Sequence, residues 1–201
     1  MYVIVRHGNT FAAGETPRRI GARTDLPLTD KGIEQARALG TLFARQGLRF
    51  TRVLVSPLLR TRQTATEIVA ALELSAEQKV ADFLREIDHG PDENLPEDEV
   101  LARIGAEALA AWEHQAIAPP GWTVDAQQRI AAWWSLFAEQ QQEMTLLVTS
   151  NGAARFALMS DPALSAAAMS LSTLKLPTGG FGVVERKQDG ALNLACWGER
   201  P

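Results

Sequence analysis

The sequence predicts an α/β fold, a three-layer α/β/α sandwich around a mostly parallel sheet that ends in an antiparallel hairpin. Two observations carry this. Short apolar runs rich in β-branched residues recur at residues 2–5, 52–55 and 145–148, each ending in polar or turn-forming residues, as buried parallel strands do. Helical patterns fall between them, and that alternation implies right-handed crossovers with helices on both faces of the sheet.

Taken in order, residues 2–5 form a first strand that meets Arg6-His7-Gly8 at once. The first helix follows a Thr29 N-cap, places Ile33, Ala36, Leu39 and Phe43 on one face, and stops at Gly47. Residues 59–74 read as a second helix after the strand at 52–55, and residues 80–84 as a further strand. A third helix starts near Asn94 with Pro96 in its first turn, lines up Val100, Ile104, Ala108 and Trp112, and ends before Pro119-Pro120-Gly121. That Pro-Pro-Gly is a loop rather than a linker, because neither side would make a self-sufficient sheet. A fourth helix spans about residues 124–141, with one core and one surface ring from Trp133-Trp134, and residues 163–169 are plain helix formers. Residues 181–185 and 191–197 flank Gln188-Asp189-Gly190 as a hairpin with an Asp-Gly turn. The Gly-rich stretch at 178–182 is too short and misplaced for a nucleotide loop, and reads as a bulge leading into that hairpin.

With 201 residues, 46% hydrophobic and 22% charged, the chain is sized for one compact domain over residues 1–201, and disorder is excluded as its main state. A net charge of −4 leaves no basic excess to neutralise a nucleic-acid backbone, so any anion site must be local. One cysteine, Cys196, makes neither an internal disulfide nor a thiolate zinc cluster, and three histidines leave little for a histidine-rich metal centre. The N-terminal apolar run is too short for a secretory signal, and no apolar stretch reaches the roughly 18 residues of a membrane span. A cytoplasmic protein with no membrane or nucleic-acid partner is the expectation, and monomer and homodimer both stay open.

Ligands of open parallel sheets bind beyond the carboxyl ends of the strands. Those ends carry Arg6-His7-Gly8-Asn9-Thr10, Ser56-Pro57-Leu58-Leu59-Arg60, Glu86 and Ser150-Asn151-Gly152, which should converge on one rim. The set suits a phosphate ester. Arg6 and Arg60 can clamp phosphoryl oxygens through their donor forks, and helix N-termini after Thr10 and Asn151 would add backbone N–H groups. His7 is placed to be a nucleophile, kept in its reactive neutral form by the neighbouring cations. Glu86 would supply the leaving-group proton. Asn9 and Arg23 flank the same pocket, while Arg18 and Arg19 either attract an anion or belong to a solvated loop.

Residues 5–10, Val-Arg-His-Gly-Asn-Thr, resemble the Arg-His-Gly-x-Thr signature of the histidine phosphatase superfamily, the phosphoglycerate mutase-like proteins. Further matches follow in order at residues 25–29 with Gly32 and Gln35-Ala36, at residues 56–60 with Gln63-Thr64-Ala65, and at residues 84–88 before Gly90. The resemblance runs from residue 2 to about residue 160. It implies a phosphoglycerate mutase-like fold, transient phosphorylation of His7, phosphate binding by Arg6 and Arg60, Glu86 as proton donor, and no metal or organic cofactor.

The resemblance also leads one to expect a second histidine after the late strand, where Asn151 stands before Gly152. An asparagine amide donates a hydrogen bond but supplies no imidazolium charge. Of the remaining histidines, His89 could reach the same rim, whereas His114 sits late in a helix. Each candidate has a plainer role: His7 in the core, Arg60 on a helix surface, Glu86 among solvated acids, Asn151 as a cap or turn residue. Asp88, His89, Asp92 and Glu93 could be taken for a metal site, although carboxylates beside a helix start are commoner as caps. The expected function is a phosphomonoester hydrolase working through phospho-His7 on a small phosphorylated substrate. A mutase, which must retain a second phosphate, would call for a larger and more basic pocket than this insertion-poor chain suggests. The alternative is a catalytically weakened, phosphate-ester-binding or regulatory protein on the same fold.

Overall fold

The computed structural model describes residues 1–139 and 143–201. Its centre is a six-stranded sheet of β1 (Tyr2–Arg6), β2 (Arg52–Val55), β3 (Gln78–Val80), β4 (Thr145–Thr149), β5 (Phe181–Arg186) and β6 (Leu192–Glu199), in the order β3-β2-β4-β1-β5-β6. The pairs β1–β4, β2–β4 and β2–β3 are parallel, while β1–β5 and the C-terminal hairpin β5–β6 are antiparallel. The three-layer, mostly parallel architecture expected from the sequence is what forms.

The reason lies in strands that bury both faces. Val3, Ile4 and Val5 have no exposed surface, and alternate residues join different cores. Val3 and Val5 pack with Ala36, Leu39, Phe43 and Ile68 of α1 (Asp30–Arg45) and α2 (Leu59–Ala71). Ile4 and Leu147 face Trp112 of α3 (Glu97–Gln115), Trp133 of α4 (Ala126–Ala138) and Phe156 of α5 (Asn151–Leu158). At about 25 cal/mol per Å², this double burial is the main term holding the layers together. Thr29 caps α1 by accepting from the Gly32 N–H, and Gly47 follows the helix at φ +69°. Asp161 caps α6 (Pro162–Ala168) by accepting from the N–H groups of Ala163 and Leu164. Trp133 is buried and Trp134 exposed, as expected.

Several boundaries differ from the sequence expectation. The third helix begins at Glu97, because Asn94 adopts a left-handed φ of 66° and Pro96 sits at the cap. Gly105, at φ 80° and ψ 161°, breaks its helical path, so the stripe is not continuous and only Val100 and Trp112 of it are buried. The region expected as a strand at 80–84 is the end of β3 followed by a 3-10 turn over Asp82–Leu84. The fourth helix starts at Ala126, and the end expected at Gln141 lies outside the described residues. Among the described residues, no helix is long and apolar enough to cross a membrane.

Candidate active site

His7 follows β1 directly. Its N–H extends the parallel ladder to the Thr149 carbonyl at 3.1 Å, which fixes it at the carboxyl edge of the two central strands. Gly8 then passes so close to the start of α1 that an added Cβ would lie 2.3 Å from the Gly32 carbonyl oxygen. That approach requires a glycine at position 8.

The imidazole is fixed at both nitrogens. Nδ1 lies 2.8 Å from the Gly8 carbonyl, which can only accept, so the ring proton sits there and Nε2 carries the lone pair. Nε2 accepts from Arg60 Nε at 3.2 Å. Burial, then Arg60, then Arg6 hold the His7 pKa well below its usual value. The ring is therefore neutral at ordinary pH.

Arg60 is fully buried and meets His7 at its Nε2 edge without lining the cavity. Its Nη1 donates to the Thr24 carbonyl at 2.7 Å and its Nη2 to that of Gly21 at 3.1 Å. The terminal fork is thus used on the loop carrying residues 21–24, and only Nε faces the nucleophile. A two-pronged clamp from Arg60, expected from the sequence, is not the geometry that forms. Arg6 does line the cavity, with Nη1 donating to the Leu176 carbonyl at 2.8 Å and a buried Nε that has no protein partner.

Glu86 lies just past the 3-10 turn, which Thr149 anchors by donating from Oγ1 to the Leu84 carbonyl at 2.6 Å. Its carboxylate is aimed by two backbone donors, Ile87 N–H to Oε1 at 2.9 Å and Gly152 N–H to Oε2 at 3.1 Å. Asn151 opens α5, and its Oδ1 accepts from the Leu176 N–H at 3.0 Å, leaving the amide nitrogen as its donor to the cavity. One turn on, buried Arg155 stacks over the Trp112 ring at 4.0 Å and braces α5 against α3; burial lowers its pKa to about 10.

Arg6, His7, Asn9, Glu86, Asn151 and Gly152 share the wall of one cavity of about 800 Å³. Asn9 points its Nδ2 at the Phe11 carbonyl and Thr29 Oγ1, so its side chain shapes the loop after the motif. Arg23 does not join the site. It is 57% exposed and donates to Asp88 at 3.0 Å and to the Gly90 carbonyl. No helix follows Thr10 directly: the chain runs without one to Asp30, and the helix starts that reach the cavity are those of α1, through Thr29, Asp30 and Lys31, and of α5, through Asn151 and Gly152.

The acidic group is accounted for by structural bonds. Asp88 accepts from Gly90 N–H, Asp92 from Arg103 and Trp122 Nε1, and Glu93 from the backbone of Gly21, Arg23 and His89 and from Thr24 Oγ1. Burial would raise the Glu93 carboxyl, but the His89 ring beside it, the Thr24 hydroxyl and backbone N–H groups outweigh that and hold its pKa at about 2. Among the described residues, no group of three or more His, Cys, Asp or Glu is placed to hold a metal ion.

Sequence reasoning missed Lys175, Thr178, Trp112 and Glu113, which also line the cavity. A signal existed for the first two. Because β5 runs antiparallel beside β1, β5 begins, and the loop entering it ends, at the carboxyl rim of β1.

Chemically, a neutral imidazole nitrogen flanked by two guanidiniums and a carboxyl fits attack on a tetrahedral, anionic phosphoryl centre. Comparison with known proteins agrees. A 2,3-bisphosphoglycerate-dependent phosphoglycerate mutase from Azorhizobium caulinodans is 32% identical over 130 residues, 60% of this chain and 59% of the mutase. The chain spans about half the length of the curated relatives it matches. A mycobacterial glucosyl-3-phosphoglycerate phosphatase has the same fold at a TM-score of 0.77 and 21% identity, covering 100% of this chain and 99% of that one. A phosphoserine phosphatase from Entamoeba histolytica follows at 0.73 and 18%, covering 98% and 95%. Residues 2–198 match the family model of the histidine phosphatase superfamily (branch 1), and the chain belongs to that superfamily.

Proposed function

We propose that the protein is a phosphomonoester hydrolase that works through a phosphohistidine on His7. The observation that carries this reading is the state of His7: neutral, with its proton held on Nδ1 by the Gly8 carbonyl and its Nε2 lone pair in the cavity region beside Arg6 and Arg60. In the first step Nε2 leaves Arg60 Nε and attacks phosphorus, the P–O ester bond breaks, and Glu86, protonated when the anionic substrate is bound, gives that proton to the departing oxygen. In the second, water attacks phosphorus, the P–N bond to His7 Nε2 breaks and returns the lone pair to the ring, Glu86 takes the water proton, and inorganic phosphate leaves. Arg6 and the Asn151 amide steady the phosphoryl oxygens.

Hydrolysis is favoured over mutase chemistry by the charge of the outer cavity. Among the outer cations that line the cavity, Arg18 is paired with Glu15 at 3.0 Å and Arg19 with Glu97, which leaves Lys31 and Lys175 to meet a second anionic group. Two fold neighbours are named as phosphatases, which supports hydrolysis, while the sequence relatives reported above carry mutase names. The test is hydrolysis of a generic aryl phosphate against a His7→Ala control, with trapping of an acid-labile phosphoenzyme. No rate above that control, or no trapped phosphoenzyme, overturns the reading.

One observation favours a second reading, a weakened phosphate-ester-binding or regulatory protein. Asn151 stands where the family resemblance leads one to expect a histidine, and with Oδ1 held by Leu176 it offers only a neutral donor. Asn151→His separates the two. A large gain in rate marks a degenerate site, and a loss marks a working variant built around asparagine.

A further inference from the structure

The cavity holds a second imidazole that the phosphoryl-transfer steps do not use. His89 lies in its wall, is 5% exposed, and packs edge-on against Trp122 with ring centroids 4.6 Å apart. Among the described residues its buried Nδ1 has no hydrogen-bond partner. That nitrogen faces Gly21, where an added Cβ would come within 2.5 Å of it, and Glu93, whose Oε2 is 3.6 Å away.

Glu93 is immobilised. Its Oε1 receives Gly21 N–H at 2.9 Å, Arg23 N–H at 3.0 Å and Thr24 Oγ1 at 2.8 Å, and its Oε2 receives His89 N–H at 3.2 Å. With a fixed carboxylate beside Nδ1, the ring proton belongs on Nδ1, and Nε2 is left as an acceptor on the opposite edge of the ring, toward the cavity. A separation of 3.6 Å is looser than a hydrogen bond, as is common for such pairs before a ligand arrives.

We propose that His89, oriented by Glu93, accepts a hydrogen bond from a hydroxyl of the leaving group, and that the substrates are therefore phosphomonoesters of polyols or sugars. The proposal rests on the phosphatase reading and deepens it. The outer wall suits such a leaving group: Glu113 offers a second acceptor, and Arg18 and Arg19 are paired with carboxylates. Two lysines also line the cavity: Lys175, which shares an adjoining cavity with Arg6, and Lys31 at the start of α1.

The test compares kcat/KM for glycerol 1-phosphate, for n-propyl phosphate, which has the same carbon chain without hydroxyls, and for phosphoglycolate, which carries a carboxylate. The wild type is expected to prefer glycerol 1-phosphate over propyl phosphate by about tenfold or more, since a site built to bond a hydroxyl rejects the analogue lacking it. His89→Phe keeps a ring against Trp122 but no acceptor, and the preference should collapse to about twofold. His89→Gln, with an amide oxygen, should retain part of it. The proposal is overturned if the wild-type ratio is near one, which decides the matter even if His89→Phe does not fold. It is also overturned if phosphoglycolate is the best of the three, or if His89→Phe lowers all three equally. Failure of the underlying reading looks different: the wild type would then hydrolyse no ester, the aryl phosphate included.

Discussion

Arg60 donates from Nε to Nε2 of His7 across 3.2 Å, while its two terminal nitrogens hold the carbonyls of Thr24 and Gly21. One buried side chain thus aims the nucleophile's lone pair and anchors the loop that frames Glu93. In the proposed reaction Nε2 gives up that Nε–H as it takes the phosphoryl group, and the freed donor lies beside the developing charge.

Replacing Arg60 should therefore harm rate and stability together. Arg60→Met keeps the volume but strips donors from two carbonyls, at about 1–3 kcal/mol for each buried group left unpaired. Loss of the donor beside the developing charge should lower kcat by about 10²-fold or more. Urea unfolding and aryl phosphate turnover check the two effects, and a destabilised variant with unchanged turnover would remove Arg60 from the chemistry.

A pH effect on stability follows from the neutral state of His7. In the unfolded chain a histidine titrates near pH 6.5, whereas burial, Arg60 and Arg6 keep the native ring neutral well below that. Below pH 6.5 the unfolded state binds the extra proton, so native stability falls as pH falls, by up to about 1.4 kcal/mol per pH unit from this residue. His7→Asn keeps a donor toward Gly8 and does not titrate. Its loss of stability between pH 7.5 and 5.5 should be smaller than the wild type's by about 1 kcal/mol in urea unfolding.

What could be read in the sequence depended on whether the cause was local. His7, Glu86 and Asn151 were legible because each follows a recognisable β-strand or its connection, and strand ends point to one rim. Arg23 misled because its neighbours in sequence lie at the pocket, yet its partners are Asp88 and Gly90, more than sixty residues away. Arg60's position was legible but not the use of its fork, since that depends on how the loop at residues 21–24 folds back. The break at Gly105 was hidden by an apolar stripe that assumes unbroken 3.6-residue spacing. Lys175 and Thr178 sit in a loop with no periodicity, and only sheet order brings them to the site.

Gly152 should tolerate no side chain. A Cβ there would lie 2.2 Å from Glu86 Oε1, and its N–H is one of the two donors aiming that carboxylate. Gly152→Ala must push Glu86 aside in a packed interior, at about 1–3 kcal/mol. Displacing the proton donor should cost about 10²-fold in turnover of poor leaving groups. An activated aryl ester, which needs less help from an acid, should lose less, and equal losses on both would argue that Glu86 is not the proton donor.

Leu176 couples the two groups proposed to hold the phosphoryl oxygens: its N–H donates to Asn151 Oδ1 at 3.0 Å and its carbonyl accepts from Arg6 Nη1 at 2.8 Å. Asn151→Asp isolates the role of the amide nitrogen within that arrangement. The aspartate keeps an oxygen for the Leu176 N–H, so the bond that orients the loop survives. It turns the cavity-facing donor into an anionic acceptor, which repels a phosphoryl dianion as well as failing to bind it. The expected result is near-normal stability in urea, with kcat/KM for an aryl phosphate lowered by about 10²-fold or more. Asn151→Ala, which loses the donor and the Leu176 bond without adding charge, should fall between the wild type and Asn151→Asp in rate while being less stable than either. If Asn151→Asp hydrolyses the ester as well as the wild type, the residue serves only to hold Leu176, and the phosphoryl oxygens are bound without it.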